Sequence, residues 1–176
     1  MRRANVEEVF PLFHTCFPEV SGKSLIDCRD WMVFYIHDGK AFCCVYPYSR
    51  GLIIQYMGVL PEYRGKGLCR KMLEQLRLLY PGLDLYGECV PGGHMFEFLL
   101  RSGWSRIPIN YVCPAWGEEP EDGNLDLLVL PYGERPKDVI GFLADYYRGG
   151  FQSTCEDLLG SYRQELEKGP YAFLRQ

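Results

Sequence analysis

The sequence predicts a mixed α/β (α+β) fold: a mostly antiparallel sheet with one parallel strand pair, flanking helices, and two further helices at the C-terminus. Three observations predict it. Between residues 31 and 59, β-branched and aromatic runs are separated only by two short turn signals, the pattern of a meander. A strand at 52–59 passes through a glycine-rich turn into an amphipathic stretch and then into a second strand at 83–90. Such a crossover makes those two strands parallel and right-handed. After residue 136, two stretches of helical periodicity are each closed by glycine.

The elements follow in order. Asn5 caps a first helix with Glu8 at the reciprocal position of a capping box. Val6, Val9, Phe10, Phe13 and Phe17 then share one face. Pro11 lacks the N–H that a helix needs, so a kink or restart is expected there. Residues 18–30 are irregular or hold a short second helix. Residues 31–36 read as a strand, His37-Asp38-Gly39-Lys40 as a hairpin turn, 41–46 as the returning strand and 52–59 as the third.

Past the glycine-rich turn, Leu68, Cys69, Met72, Leu73, Leu76, Leu79 and Tyr80 recur at helical spacing until Pro81-Gly82. A strand at 83–90 and a helix at 93–102, capped by Gly103, come next. Residues 104–113 and 125–130 read as two further strands. Pro136 opens a helix through Val139, Ile140, Leu143 and Tyr146 that Gly149-Gly150 ends. Ser153-x-x-Glu156 is a capping box for a last helix through Leu158, Leu159, Tyr162 and Leu166.

Composition narrows the function. At 176 residues with 47% hydrophobic content, the chain can build a sizeable core and is not disordered. No run approaches the roughly 20 apolar residues of a membrane span, so no membrane partner is expected. A net charge of -4 argues against nucleic acid as a partner. The N-terminus is charged and lacks the apolar region of a signal peptide. The eight cysteines include no C-x-x-C pair, which points to free thiols in a reducing, cytoplasmic setting. The three histidines, His14, His37 and His94, are scattered, so no metal is expected.

The most informative segment is Val59-Leu60-Pro61-Glu62-Tyr63-Arg64-Gly65-Lys66-Gly67-Leu68-Cys69-Arg70-Lys71. A glycine-rich turn that feeds a helix N-terminus presents backbone N–H groups without helical partners, at the positive end of the macrodipole. That combination suits phosphate or pyrophosphate. From residue 64 to 77, Arg64, Lys66, Arg70, Lys71 and Arg77 stand against Glu74 alone, in a chain that is net acidic. The nucleoside-triphosphate loop has no match, and the dinucleotide fingerprint lacks its third glycine because Arg70 stands there.

What remains, Arg64-x-x-Gly67-x-Cys69 after a strand ending in Val-x-Pro, resembles the acyl-CoA loop of the GNAT family of N-acetyltransferases. The predicted element order resembles that family too, over residues 4 to about 130. The resemblance implies a GNAT-like domain at 1–135, with 136–176 as a helical extension packed on it or on a second subunit of a homodimer. It implies that the two central strands splay apart and that CoA inserts between them. It further implies that acetyl-CoA is the co-substrate, held by Arg64, Gly65, Lys66, Gly67, Leu68, Cys69 and Arg70, with Gly58, Val59 and Leu60 turned toward the thioester and the pantetheine arm. The implied activity is N-acetyl transfer to a primary amine of a small molecule or peptide. A non-catalytic CoA-binding or partner-binding domain is the alternative.

The chain departs from the family at the catalytic positions. Gln55 and Tyr56 stand where a glutamate base is frequent, and Leu99 where a tyrosine acid is frequent. Glu88, near the end of the 83–90 strand, is the candidate base, with His94 behind it. Tyr111 or Tyr86 is the candidate acid, although a thiolate leaving group with a pKa of about 8.5 can depart without one. Strand alternation places Asp84, Tyr86 and Glu88 on one face. Acidic residues Glu118, Glu119, Glu121 and Asp122, with Asp126, suggest a cationic acceptor.

Overall fold

The computed structural model describes residues 1–20, 22, 25–26, 30–111, 125–151 and 156–168. The described strands are β1 (Arg2–Ala4), β2 (Val33–His37), β3 (Ala41–Pro47), β4 (Gly51–Val59), β5 (Asp84–Cys89), β6 (Ser105–Arg106) and β7 (Asp126–Leu130). The described helices are α1 (Val6–Cys16), α2 (Leu68–Leu79), α3 (His94–Arg101), α4 (Val139–Phe151) and α5 (Glu156–Lys168), with a 3-10 turn at Pro61–Tyr63. The strands form one mixed sheet in the order β1-β2-β3-β4-β5-β7-β6, mostly antiparallel with one parallel pair. No described helix is long and apolar enough to cross a membrane.

The chain divides into two compact units, the first holding Met1–Pro47 and Ile53–Pro81, the second Tyr48–Leu52 and Gly82–Gln176. In the first unit, α1 opens with the expected capping box: Glu8 N–H donates to Asn5 Oδ1 at 2.9 Å and Asn5 N–H donates to Glu8 Oε2 at 3.1 Å. The helix runs on through Pro11 instead of restarting. Pro11 and Glu7, whose carbonyl loses its helical donor, are both exposed, so that carbonyl is not buried without a partner. Phe13 holds the helix in place, fully buried and edge-on to Tyr56 at 5.0 Å.

β1, the strand for which the sequence leaves almost no room, pairs Arg2, Arg3 and Ala4 with Ile36, Tyr35 and Phe34 of β2. The β2–β3 turn has φ of 52° at Asp38 and 65° at Gly39, and Lys40 N–H donates to His37 O at 2.9 Å. Two positive φ angles in a row are the signature of a type I′ hairpin, which Asp-Gly accommodates. β3 is buried on both faces from Ala41 to Tyr46, which accounts for its unbroken apolar run.

In the second unit, β5 pairs antiparallel with β7, Leu85 opposite Leu130 through Cys89 opposite Asp126. The strand expected over 104–113 is only Ser105–Arg106. Pro108 is the reason: Ile107 N–H still reaches Leu127 O at 2.8 Å, but Ile109 N–H, the next donor that the ladder would use, turns back to Ile107 O at 2.9 Å in a γ-turn centred on Pro108, whose fixed φ suits it. Helix α4 starts at Val139 rather than at Pro136 and passes through Gly149-Gly150. Glycine inside a helix costs about 1 kcal/mol relative to alanine, which packing can offset. The capping box at Ser153 lies outside the described residues.

Alternate residues of β5 meet the segment that leads into and along α4. Asp84, fully buried, accepts the N–H of Tyr132 at Oδ1 and of Lys137 at Oδ2, each at 2.8 Å. Tyr86 stacks face to face on Phe142, with centroids 3.7 Å apart and rings 4° from parallel. Glu88 Oε1 accepts from Tyr146 Oη at 3.2 Å. Gly51 makes room for this layer: a Cβ there would lie 2.6 Å from Tyr86 and 2.9 Å from Phe142. Asp84→Ala strands two inward amides, each costing about 1–3 kcal/mol. The expected outcome is an unfolding free energy lowered by about 3 kcal/mol, read as a lower urea midpoint with an unchanged m-value. Asp84→Asn, which keeps one acceptor, should lose less.

Candidate functional site

The glycine-rich loop lies wholly in the first unit. Gly65 has φ 72° and Gly67 φ 75°, a backbone that L side chains rarely adopt. Gly67 is the N-cap of α2, and no side chain caps that end. The first intrahelical bond is Lys71 N–H to Gly67 O at 3.1 Å. Leu68, Cys69 and Arg70 therefore begin the helix in its first, uncapped turn. Gly65, Lys66, Gly67 and Arg70 are exposed, and a Cβ at either glycine would meet open space. The loop thus combines a solvent-facing helix N-terminus with a left-handed approach to it, as an anion site requires.

Arg64 is anchored rather than free. Its Nε donates to Val59 O at 3.1 Å, and its guanidinium also hydrogen-bonds the Cys16 thiol. It ties the loop to the end of β4 and adds fixed positive charge. Lys66 Nζ donates to Glu62 O at 3.0 Å and lies 5.1 Å from the Tyr63 ring centroid. Lys40, from the β2–β3 turn, lies 5.3 Å from the same centroid. The attraction of each ammonium for the ring holds two cations beside the loop. Lys40 is a residue that sequence reasoning missed, since only the hairpin brings it here.

Gly58 is buried, and a Cβ there would lie 2.6 Å from Phe42 Cε1 and 2.9 Å from Cys16 Sγ. Close packing alone requires glycine at this position. Leu60 N–H donates to Lys40 O at 2.9 Å, so that amide is already engaged, while Val59 is buried with its carbonyl held by Arg64. Cys69 is half-buried at the second position of α2. A helix N-terminus ordinarily lowers a thiol pKa. Here burial wins and raises it, with Cys16 adding to the rise and Arg64 opposing it.

In the second unit, the structure brings Glu88 and Tyr111 together: the Tyr111 hydroxyl donates to Glu88 Oε1. Tyr146 donates to the same oxygen. Glu88 is half-buried and Tyr111 buried. Of the two tyrosines named as candidate acid, Tyr111 contacts Glu88. Tyr86 is locked in its stack, with a buried hydroxyl whose pKa burial raises, Asp84 and Asp138 adding to it. His94 is exposed at the first position of α3. The acidic run at Glu118, Glu119, Glu121 and Asp122 lies outside the described residues, and Asp126 is paired with Arg106 at 2.6 Å. No cluster of metal-ligating side chains occurs among the described residues.

No family model matches the sequence, and no curated relative does. Solved structures match the fold. A protein from Bacteroides thetaiotaomicron described as a GNAT-family acetyltransferase superposes with a TM-score of 0.66 at 15% identity, over 84% of this chain and 95% of that one. The ribosomal-protein-S18-alanine N-acetyltransferase of Escherichia coli gives a TM-score of 0.54 at 20% identity, over 76% and 92%. An acetyltransferase of Bacillus subtilis solved in complex with CoA gives 0.52 at 12%, over 74% and 95%. The fold is that of the GNAT acetyltransferases.

Cys89 carries no sign of a nucleophile. Burial pushes its thiol up to about 11, and the neighbouring Glu88 and Asp126 carboxylates add to the rise. At pH 8 about one thiol in a thousand is then ionised. Iodoacetamide at pH 8 should leave Cys89 unlabelled in the native protein and label it in urea, as read by peptide mass spectrometry.

Proposed function

We propose that this chain is an acyl-CoA-dependent N-acyltransferase that moves an acetyl group from acetyl-CoA to a primary amine of a small molecule or peptide. The loop at 64–70 carries the reading: two left-handed glycines deliver an uncapped helix N-terminus amid Lys40, Arg64 and Lys66. The likeness of the fold to acetyltransferases, one of them solved with CoA, supports it. Loop amides and fixed cations take the CoA pyrophosphate. The amine nitrogen attacks the thioester carbon, a C–N bond forms and the C–S bond breaks. Glu88 takes the proton from the nitrogen, and the thiolate leaves as CoA. Tyr111, hydrogen-bonded to Glu88, returns a proton toward the leaving sulfur and is reprotonated from Glu88. Holding thioester and amine together contributes up to about 7–11 kcal/mol of the barrier reduction.

Replacing Gly67 by valine puts a β-branched residue at φ 75° and a side chain where the pyrophosphate must approach. Calorimetry should then find CoA binding abolished; unchanged affinity would overturn the loop assignment. Glu88→Gln keeps size and hydrogen bonding but cannot take a proton. It should lower kcat by roughly 10²–10⁴-fold, remove the acid limb of the rate profile and leave CoA affinity intact. The assay is thiol release from acetyl-CoA across a panel of amines. CoA binding without turnover on any amine would point to a non-catalytic CoA-binding domain.

A further inference from the structure

We infer that the two C-terminal helices form part of the general base: Tyr146 of α4 is a positioning residue that holds the Glu88 carboxylate ionised and fixed, with Tyr147 and Tyr162 behind it. The inference rests on the transferase reading above for its catalytic meaning and on geometry for the network itself. Two phenols converge on one carboxylate oxygen, Tyr111 and Tyr146 on Glu88 Oε1. Tyr147 hydrogen-bonds both Tyr111 and Tyr162 of α5, and lies within the field of Glu88. The rings are packed as a layer. Tyr146 is 5.8 Å from Tyr147 and 6.0 Å from Phe142, and Tyr111 is 6.4 Å from Tyr162, each pair stacked. Tyr146, Tyr147 and Tyr162 are buried to within 1%. A tyrosine buried this deeply usually finds a partner for its hydroxyl, and here Tyr146 finds the candidate base.

The physical consequence is specific. Bonds donated to a carboxylate favour its charged form, and mutual polarisation along a chain of hydroxyls strengthens each bond. Among the described residues, the titratable groups seen to meet Glu88 are Tyr111 and Tyr146, with Tyr147 and Tyr162 behind them and Cys89 beside it on β5; the Asp126–Arg106 pair lies opposite Cys89 and Leu128, on the other face of the sheet. Two phenols that donate to one oxygen of Glu88 favour its charged form and so oppose its protonation. A base that is ionised near neutrality needs this support because it is half-buried.

Tyr146→Phe keeps the stacked ring and removes only the hydroxyl. Titration of side-chain-labelled glutamate by NMR, with Glu88 assigned from Glu88→Gln, should show the Glu88 midpoint raised by about one pH unit. The acid limb of kcat/KM should move up with it, while KM for acetyl-CoA stays unchanged. Tyr111→Phe, which removes the other donor, should shift the midpoint in the same sense. A midpoint that stays in place in both variants overturns the inference, whatever the turnover. A midpoint that moves in a protein that acylates no amine upholds the network and overturns the transferase reading alone. A lowered Tm with an unmoved midpoint and profile would make Tyr146 a packing residue and overturn its positioning role.

Discussion

The second unit depends on one geometric match, between the two-residue period of β5 and the turn of α4. Two residues of strand advance about 6.6–6.8 Å, and four residues of helix advance about 6 Å. Asp84, Tyr86 and Glu88 therefore each find a partner one step further along the same segment: the amides of Tyr132 and Lys137, then Phe142, then Tyr146. The three contacts differ in kind. The first is charge on buried amides, the second is ring stacking, and the third is a carboxylate held by a phenol. The same register that secures the helix also presents the candidate base.

The first unit solves a different problem, how to gather positive charge around a backbone that must stay open. Gly65 and Gly67 leave the helix N-terminus bare, so the charge has to come from side chains rooted elsewhere. Arg64 is pinned by a carbonyl and a thiol, and Lys40 and Lys66 share one tyrosine ring. Ordering these groups in advance removes part of the entropy that an anion would otherwise have to oppose on binding.

The meander, the crossover and the capping box at Asn5 were legible because each is written in local pattern: alternation, a glycine-rich break, and a side chain three residues from its partner. The loop was legible for the same reason. Failures came where one residue overrode a run or where partners lie far apart in sequence. Pro108 cut short a strand that the pattern of 104–113 supports, and α4 ran through glycines that ordinarily end a helix. Lys40 reached the loop only through a hairpin. Tyr146 read as one more apolar position of a helix face, though a phenol at a buried position signals that a hydroxyl partner must exist. Asp84 read as a strand-face residue, and its amide partners lie 48 and 53 residues away.

The matched periods of β5 and α4 also constrain how this chain can change length. A one-residue slip of β5 turns Asp84, Tyr86 and Glu88 to the opposite side of the sheet at once, and an insertion or deletion between them puts them on different sides. No compensating point substitution restores all three, because their partners sit on one rigid helix and its lead-in. Over evolutionary drift these two elements behave as a single block that tolerates exchange of side chains but not of spacing.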